Sequence, residues 1–224
     1  MIACFVTGTD TGIGKTMSSC ALLHALAQHH PRVVGMKPVA SGAAPDGHGG
    51  WTNEDSLALR TASTLAVSAA LDNPVLLPNP VSPHIAAERA GVTVQLAPIV
   101  QAYQQLAAQA DAVVVEGAGG WQVPLSPTLR MADLAVALQL PVVLVVGMRL
   151  GCINHALLTA DAIRACGLTL AGWIANRIDP DMLEPEANMA YLRQHMGAPL
   201  LADIPWQASP AASAIQVQLP KEWQ

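Results

Sequence analysis

The sequence predicts an α/β fold in which residues 1–224 form one domain around a doubly wound, mostly parallel sheet. Three observations predict it. Apolar runs rich in Val, Ile and Leu are continuous rather than alternating, which is typical of strands buried on both faces. These runs alternate with helix-like stretches almost to the end of the chain. A glycine-rich turn follows the first run, and no linker or internal repeat divides the sequence.

These signals place the elements in order along the chain. The predicted strands are residues 2–6, 32–39, 112–116, 141–147, 168–175 and 199–204. The predicted helices begin at residue 17 and then cover residues 54–64, 94–110, 154–165 and 185–195. Residues 40–52 are rich in glycine and alanine and are expected to form a loop. The four prolines of residues 73–83 predict irregular structure there.

The turn from Gly8 to Thr16, with the sequence Gly-Thr-Asp-Thr-Gly-Ile-Gly-Lys-Thr, is the most informative segment. Backbone N–H groups of such a turn and of the following helix point at an anion, so the segment predicts phosphate binding. Lys15 is expected to reach the β- and γ-phosphates of a nucleotide, and the Thr16 hydroxyl to ligate Mg²⁺. The usual P-loop has four residues between its two glycines, whereas five separate Gly8 from Gly14.

Lysine is rare in this chain, so the positions at which it occurs are informative. The three lysines are Lys15, Lys37 and Lys221, against eight arginines. Lysine presents a compact charge on a flexible stem, whereas the guanidinium of arginine is a planar fork. We therefore expect that positions 15 and 37 both need a compact ammonium. Compositional drift is the alternative, and it suits Lys221 near the C-terminus.

Composition and charge argue against several other classes of protein. The net charge of −5 and the lack of a basic run argue against a nucleic-acid partner. The longest apolar stretch, residues 140–148, is too short to span a membrane, and the N-terminus lacks the basic region of a signal peptide. The four cysteines show no metal-ligand or disulfide pattern, so a cytoplasmic protein with reduced thiols is expected.

Polar residues follow several predicted strands, whose carboxyl ends meet at one edge of a parallel sheet. Lys37 and Ser41 follow the second strand, and the third ends at Glu116. A lone carboxylate after three valines needs a partner, and Mg²⁺ is a fitting one. Asp55, at the start of a predicted helix, could bind the same metal or simply interact with the helix macrodipole. Two later strand ends give residues 149–154 and 176–177.

Six segments resemble the dethiobiotin synthetase family. They are residues 5–16, 37–42 (KPVASG), 115–121 (VEGAGGW), 150–156 (LGCINHA), 168–173 (LTLAGW) and 204–206 (IPW). The five-residue gap in the phosphate loop is also that family's form. The match spans nearly the whole chain, and its order and spacing are specific.

The resemblance implies the penultimate step of biotin synthesis, in which 7,8-diaminononanoate, CO₂ and ATP give dethiobiotin, ADP and phosphate. One amine takes up CO₂ as a carbamate, and the carbamate oxygen attacks the γ-phosphate. The second amine then displaces phosphate and closes the cyclic urea. A loose phosphoryl-transfer transition state needs positioning and charge neutralisation, which lysines and Mg²⁺ supply.

The resemblance also implies which residues form the site. The catalytic residues are Lys37, Lys15 and Thr11, and the ligands of Mg²⁺ are Thr16, Asp55 and Glu116. Substrate is bound by Thr11, Ser41, Gly151, Cys152, Ile153 and Asn154. The ATP-binding residues are Gly12, Ile13, Gly14, Lys15, Thr16, Met17, Asp55, Glu116, Gly117, Ala118, Gly119, Asn176, Arg177, Pro205, Trp206 and Gln207.

The family acts as a homodimer with the substrate between subunits, and the turn 151–154 resembles the piece that receives the substrate carboxylate from the neighbouring subunit. Three departures from the family concern nucleotide contacts. Gly12 stands where an acidic residue can stand, Arg177 stands where an acidic residue can follow the Asn, and no Glu occurs in residues 207–215.

Two alternatives come from other classes. A partitioning-type ATPase switch shares this style of P-loop and acts by dimerising, but it carries a signature lysine five residues before the P-loop lysine, where this chain has Asp10. A glutamine-dependent amide synthase of the cobyrinate type would need a further amidotransferase domain, for which the chain has no room.

Overall fold

A six-stranded sheet forms the centre of the computed structural model, which describes residues 1–47, 50–206 and 211–224. In chain order, the strands of the described residues are β1 (Ile2–Gly8), β2 (Val33–Met36), β3 (Val39–Ser41), β4 (Ala44–Pro45), β5 (Trp51–Thr52), β6 (Val75–Leu77), β7 (Ala112–Gly120), β8 (Val142–Met148), β9 (Leu170–Arg177) and β10 (Leu200–Ile204). The central sheet has the order β10-β9-β8-β1-β7-β2, and every pairing in it is parallel. The predicted fold class is therefore confirmed.

Helices cover both faces of this sheet. In chain order, those of the described residues are α1 (Lys15–Leu26), α2 (Glu54–Ala62), α3 (Ala69–Asp72), α4 (Pro83–Ala90), α5 (Leu96–Ala107), α6 (Met131–Leu138), α7 (Cys152–Ala165) and α8 (Pro185–His195). Short 3₁₀ turns follow at Ala212–Ala214 and Lys221–Trp223. Within the described ranges, no helix has the length and apolar character needed to cross a membrane.

Successive side chains of a central strand enter two different cores. In β1, Cys4 and Val6 pack in the core that contains Leu22 of α1, whereas Phe5 packs in the opposite core with Ile163 of α7. Alternate residues of a strand point to opposite faces, so a sheet covered on both sides needs apolar residues at every position. This is the physical reason why the strands read as continuous apolar runs.

The predicted strand 32–39 is wrong as a single element, because β2 ends at Met36 and β3 begins at Val39 in a separate two-stranded sheet. Pro38 has no N–H to donate to a ladder. The N–H of Lys37 donates to the carbonyl of Asp72 at 2.7 Å, outside the central sheet. The break leaves Lys37 between two sheets, at the edge where the ligand is expected.

Other predicted elements are present with shifted ends. The helix expected to begin at Asn154 begins at Cys152, and the helix 185–195 has the predicted bounds. Residues 73–83 were expected to be irregular, yet Val75–Leu77 forms β6, since β3 offers it a parallel partner. The expected loop 40–52 contains the hairpin of β4 and β5. Helices α3, α4 and α6 have no counterpart among the predicted elements.

Candidate active site

The phosphate loop joins β1 to α1, where the start of the helix is left without a side-chain cap. Gly14 is the N-cap residue, with a left-handed backbone (φ 84°), and the first turn carries no acidic side chain. The N–H groups at the positive end of the helix dipole are therefore available to an anion. Gly14 also needs to be glycine for packing, because an added Cβ would overlap the amide of Asn176.

Lys15 folds back over this loop. Its Nζ donates to the carbonyl oxygen of Asp10 at 2.8 Å, and the side chain is buried. Burial, with the charge of Lys37 as a second cause, lowers the pKa of Lys15 to about 8, although nearby carboxylates act against the shift. The carboxylate of Asp10 is held in turn by Arg149, with Nη2 and Oδ2 2.6 Å apart. Asp10, which occupies the position of the second lysine of partitioning ATPases, is thus paired with a residue of its own chain.

Two carboxylates converge on the hydroxyl of Thr16. Its Oγ1 lies 2.8 Å from Oδ1 of Asp55 and 2.9 Å from Oε1 of Glu116. Asp55 reaches this point from the first turn of α2, where its N–H donates to the side chain of the N-cap residue Asn53. Glu116 reaches it from β7, where it is fully buried. The sequence places these three residues far apart, and the sheet edge brings them together.

Lys37 completes this cluster. Its Nζ lies 2.6 Å from Oε1 of Glu116 and 2.8 Å from Oδ2 of Asp55. Burial works against the charged form, but the charges of Glu116 and Asp55 outweigh it and raise the pKa of Lys37. The pKa of Asp55 is lowered: burial opposes this, and the charge and hydrogen bond of Lys37 prevail. The ammonium and the carboxylate of Asp55 are therefore both charged near neutral pH.

The donor set of this cluster fits Mg²⁺. Oε2 of Glu116 is buried and has no hydrogen-bond partner, which leaves one hard oxygen without the contact that a buried carboxylate needs. A hydroxyl and two carboxylates are oxygen ligands of the kind that Mg²⁺ prefers, and substrate phosphates and waters normally complete its shell. Among the described residues, no group of three or more His, Cys, Asp or Glu side chains is placed to hold a metal.

These residues line one cleft of about 650 Å³. It contains Thr11, Gly12, Gly14, Lys15, Thr16, Lys37, Ser41, Asp55, Glu116, Ala118 and Gly119 from the predicted set. The Ser41 hydroxyl is buried without a partner, and the side chain of Asn53 donates to the carbonyl of Ser41 at 3.2 Å. Asn53 is not among the residues expected from the sequence, although an Asn directly before Glu-Asp at a helix start is a capping signal. The wall formed by residues 80–83 was not expected either.

Residues assigned to the nucleotide base lie at the ends of β9 and β10. The amide of Asn176 donates to the carbonyl of Ile13 at 2.8 Å, which ties β9 to the phosphate loop. Arg177 forms ion pairs with Glu186 (2.6 Å) and Asp203 (2.8 Å). It lines a small recess of about 120 Å³ together with the exposed Trp206. Pro205 is also exposed, and Gln207 lies outside the described residues.

The turn 151–154 does not join this cleft within its own chain. Gly151 caps α7 with φ 93° and no side-chain cap, and Asn154 is exposed. Cys152 is buried, and burial raises the pKa of its thiol, so it is not a reactive thiolate. In the described part of the chain, none of the four residues of this turn lines the 650 Å³ cleft.

A phosphate loop, two buried lysines and a threonine–carboxylate cluster at the edge of a parallel sheet define a P-loop nucleotide-binding α/β protein. Solved structures show the same fold. The MinC:MinD cell division complex of Aquifex aeolicus matches with a TM-score of 0.58 and 16% identity, covering 93% of this chain and 82% of that chain. A ParA family ATPase from Chlorobium tepidum matches with a TM-score of 0.55 and 14% identity, covering 92% and 85%. At these identities, the likeness concerns the fold alone.

Sequence comparison identifies the family. A family model described as an AAA domain matches residues 3–213. The ATP-dependent dethiobiotin synthetase of Xanthomonas axonopodis pv. citri is 58% identical over 221 residues, covering 98% of each chain. The enzyme of the same name from Xylella fastidiosa is 56% identical over 203 residues, covering 91% of this chain and 89% of the relative. The chain belongs to the ATP-dependent dethiobiotin synthetase family.

Proposed function

We propose that this protein converts 7,8-diaminononanoate, CO₂ and ATP to dethiobiotin, ADP and phosphate. The observation that carries the proposal is the contact of Lys37 with the two carboxylates that also flank the Thr16 hydroxyl. This contact places a second buried ammonium beside the phosphate loop, in one cleft of about 650 Å³. A partitioning-type switch takes its second lysine from within the phosphate loop, where this chain has Asp10, whereas a carbamate needs a cation beside the loop. Family membership supports the same reaction.

The phosphate loop and Lys15 serve the transferring phosphoryl group. The carbamate oxygen attacks the γ-phosphorus, and the bond to ADP breaks. Charge spreads over the equatorial oxygens in the transition state, so catalysis needs donors that are already in place. The uncapped N–H groups at the start of α1 and the ammonium of Lys15 supply them.

Lys37, Thr11 and Ser41 hold the carbamate in this proposal. All three line the cleft, and the buried hydroxyl of Ser41 has no partner of its own. After phosphoryl transfer, the second amine attacks the carbamoyl carbon and phosphate leaves with the electron pair of its bond. The departing phosphate can accept the proton that the attacking amine loses, and the cyclic urea closes.

Thr16, Asp55 and Glu116 would hold Mg²⁺ here. The unpartnered Oε2 of Glu116 supports this assignment. When bound, Mg²⁺ supplies positive charge to the phosphate oxygens. Lys37 contacts both carboxylates, so its ammonium would lie beside the metal ligands when the carbamate binds.

The base of ATP would lie against the ends of β9 and β10. Asn176 borders the phosphate loop, and Arg177 and Trp206 line the adjoining recess of about 120 Å³. These positions support contacts of Asn176, Arg177, Pro205 and Trp206 with the nucleotide. Gln207 belongs to the same proposed set through the family resemblance.

The proposed assembly is a homodimer in which the turn 151–154 receives the substrate carboxylate of the other subunit. The exposed, uncapped start of α7 supports anion binding there, and its separation from the cleft of its own chain supports action across an interface. A cytoplasmic location is supported by the cysteines, since all four are free thiols.

The test is direct. Incubation with diaminononanoate, bicarbonate and Mg-ATP is expected to give a product with the mass of the cyclic urea, together with one ADP per product. Omission of the diamine is the control, and it should abolish ADP formation beyond a trace. ADP formation that does not depend on the diamine, with no cyclic urea, would contradict the proposal and favour a partitioning-type ATPase.

A further inference from the structure

The backbone of Lys37 is held on both sides by two consecutive residues at the end of α3. Its N–H donates to the carbonyl of Asp72 at 2.7 Å, and the amide of Asn73 donates to its carbonyl at 2.7 Å. Lys37, Asp72 and Asn73 are all buried. Both polar groups of this one peptide segment thus find their partners in residues 72–73 rather than in the central sheet.

Asp72 is fixed in turn to the helix that carries Asp55. Its two carboxylate oxygens each lie 2.6 Å from a nitrogen of Arg60, in a two-pronged contact. Arg60 is in α2, and the first turn of the same helix presents Asp55 to the ammonium of Lys37 at 2.8 Å. The contacts therefore form a closed ring. Residues 72–73 join the backbone of Lys37 to Arg60, and α2 joins Arg60 to Asp55, which contacts the side chain of Lys37.

This ring replaces the support that a strand would give. Lys37 lies between the end of β2 and the start of β3, and Pro38 cannot donate to a ladder. The side chain of Asp72 is only 3% exposed, so its ion pair adds little to the free energy of unfolding, because desolvation offsets most of the Coulomb attraction. A two-pronged arginine contact does fix orientation in a way that an apolar pair does not.

We propose that Arg60, Asp72 and Asn73 form a clamp that positions the ammonium of Lys37 for the carbamate. They touch no reacting atom, so they are positioning residues. The inference rests on the function proposed above for Lys37. In addition, the placement of Lys37 depends on the ion pair of Arg60 and Asp72, on the far side of its backbone.

Kinetics of matched variants test the clamp. Asp72→Asn removes the negative charge of the ion pair. Arg60→Lys keeps the positive charge but removes the two-pronged contact. Both are expected to lower kcat roughly 10- to 100-fold, the effect of misplacing a catalytic group by about 1 Å, while KM for ATP changes less than about twofold. Asp111→Asn is the control, because it breaks a similar two-pronged pair with Arg32 at the opposite edge of the sheet and should leave kcat unchanged.

A double-mutant cycle separates positioning from general damage. In a Lys37→Gln background, Asp72→Asn is expected to cause less than about a twofold further loss, because its effect acts through Lys37. An equal loss in both backgrounds would overturn the clamp. So would a normal kcat in both clamp variants.

A measurement that does not depend on turnover tests the clamp separately from the proposed reaction. The chain has three lysines, so ¹³C-lysine NMR gives few side-chain signals, and Lys37→Gln identifies that of Lys37. This signal should shift in Asp72→Asn and not in Asp111→Asn. An unshifted Lys37 signal in a folded Asp72→Asn protein would overturn the clamp, whereas a wild-type protein that makes no cyclic urea would overturn only the proposed reaction.

Discussion

At the scale of single residues, Lys37 and Asp55 keep each other ionised in the candidate site. The pKa of Lys37 is raised, because two carboxylates outweigh the effect of burial, and the pKa of Asp55 is lowered by the same contact. Lys15 lies nearby with its pKa lowered to about 8, since it is buried and also repelled by Lys37. The two lysines therefore differ in how readily they lose a proton: Lys37 is held in its charged form, whereas Lys15 loses its proton near pH 8.

The first prediction concerns Lys37. Replacement by Gln is expected to lower turnover by roughly 10²–10³, the usual cost of one donor aimed at developing negative charge. The affinity for ATP should change little, since Lys15 and the loop amides govern it in the proposed site. Steady-state turnover and ATP binding by calorimetry measure the two effects separately.

Lys37→Arg serves as the partial control. A planar guanidinium cannot reproduce a compact ammonium between two carboxylates, so only part of the rate should return. The assigned role is wrong if Lys37→Gln turns over normally, or if it loses ATP binding as severely as a Lys15 variant.

The second prediction concerns Glu116, whose Oε2 is buried without a partner. Glu116→Gln keeps the shape but removes a charge that Lys37 contacts and that Mg²⁺ would share in the proposed site. Turnover is expected to fall sharply, and half-maximal activity should need a much higher Mg²⁺ concentration. A magnesium titration of both proteins, with circular dichroism to verify folding, decides the point. A wild-type rate with an unchanged magnesium curve would remove Glu116 from the site.

The third prediction is a pH dependence of ATP binding. Lys15 is an ammonium below its pKa of about 8 and a neutral amine above it, and only the ammonium attracts phosphate. ATP affinity should thus fall as pH rises through 8, towards about tenfold per pH unit, with uptake of one proton on binding. Calorimetry from about pH 7 to about pH 9.5 in buffers of different ionisation enthalpy measures both effects.

Lys15→Met is the control for this titration. It should bind ATP weakly at every pH, without the loss above pH 8 and without proton uptake. A wild-type affinity that stays constant over this range would show that Lys15 remains charged, or that it does not meet the phosphates.

At the scale of elements, the strands of the central sheet leave a signal in the sequence, whereas the short strands in the connections do not. Continuous apolar runs such as Ala112–Val115 reveal a strand buried on both faces, because every position must be apolar. No comparable signal marks β6, which forms only because β3 lies beside it. The end of β2 at Met36 likewise depends on Asp72, a partner distant in sequence.

The fourth prediction compares two glycines of the phosphate loop. Gly12 and Gly14 both have positive φ (72° and 84°), so alanine strains either backbone by about 1–2 kcal/mol. A Cβ at Gly12 would meet nothing within 4 Å, whereas one at Gly14 would overlap Asn176. Gly14→Ala should therefore cost about 1–3 kcal/mol more than Gly12→Ala in the free energy of unfolding without nucleotide.

Asn176→Ala provides the matched background, since it removes the side chain that the new methyl group would meet. There, Gly14→Ala should cost no more than Gly12→Ala does. Chemical denaturation of the nucleotide-free proteins measures each value. Equal costs of the two alanine substitutions in the wild-type background would show that Asn176 does not obstruct a methyl group at position 14.

At the scale of the whole molecule, the parallel sheet explains why so much of the site could be predicted. All six strands point the same way, so Thr16, Lys37 and Glu116 come to one edge although β7 separates β1 from β2. The rule that ligands bind at this edge finds those residues from sequence. It cannot find Asn53, Asp72 or the wall 80–83, which act through contacts between connections rather than at strand ends.

The uncapped turn at the start of α7 belongs to the same scale, because in the proposed dimer it completes the site of a second copy. In the proposed dimer, each site combines Lys37 of one chain with the turn 151–154 of the other. A two-fold interface makes both sites equivalent. Mutations in the two parts should therefore complement each other when they are carried by different subunits.

The fifth prediction tests this arrangement with mixed dimers. Lys37→Gln and Ile153→Asp, which opposes a substrate carboxylate with a negative charge, should each be nearly inactive alone. After mixing in equal amounts with exchange of subunits, about half of the dimers are mixed, and each has one site with both parts intact. About a quarter of the wild-type activity should return. If the turn serves its own chain, or if the protein is a monomer, every site keeps one defect and mixing restores nothing.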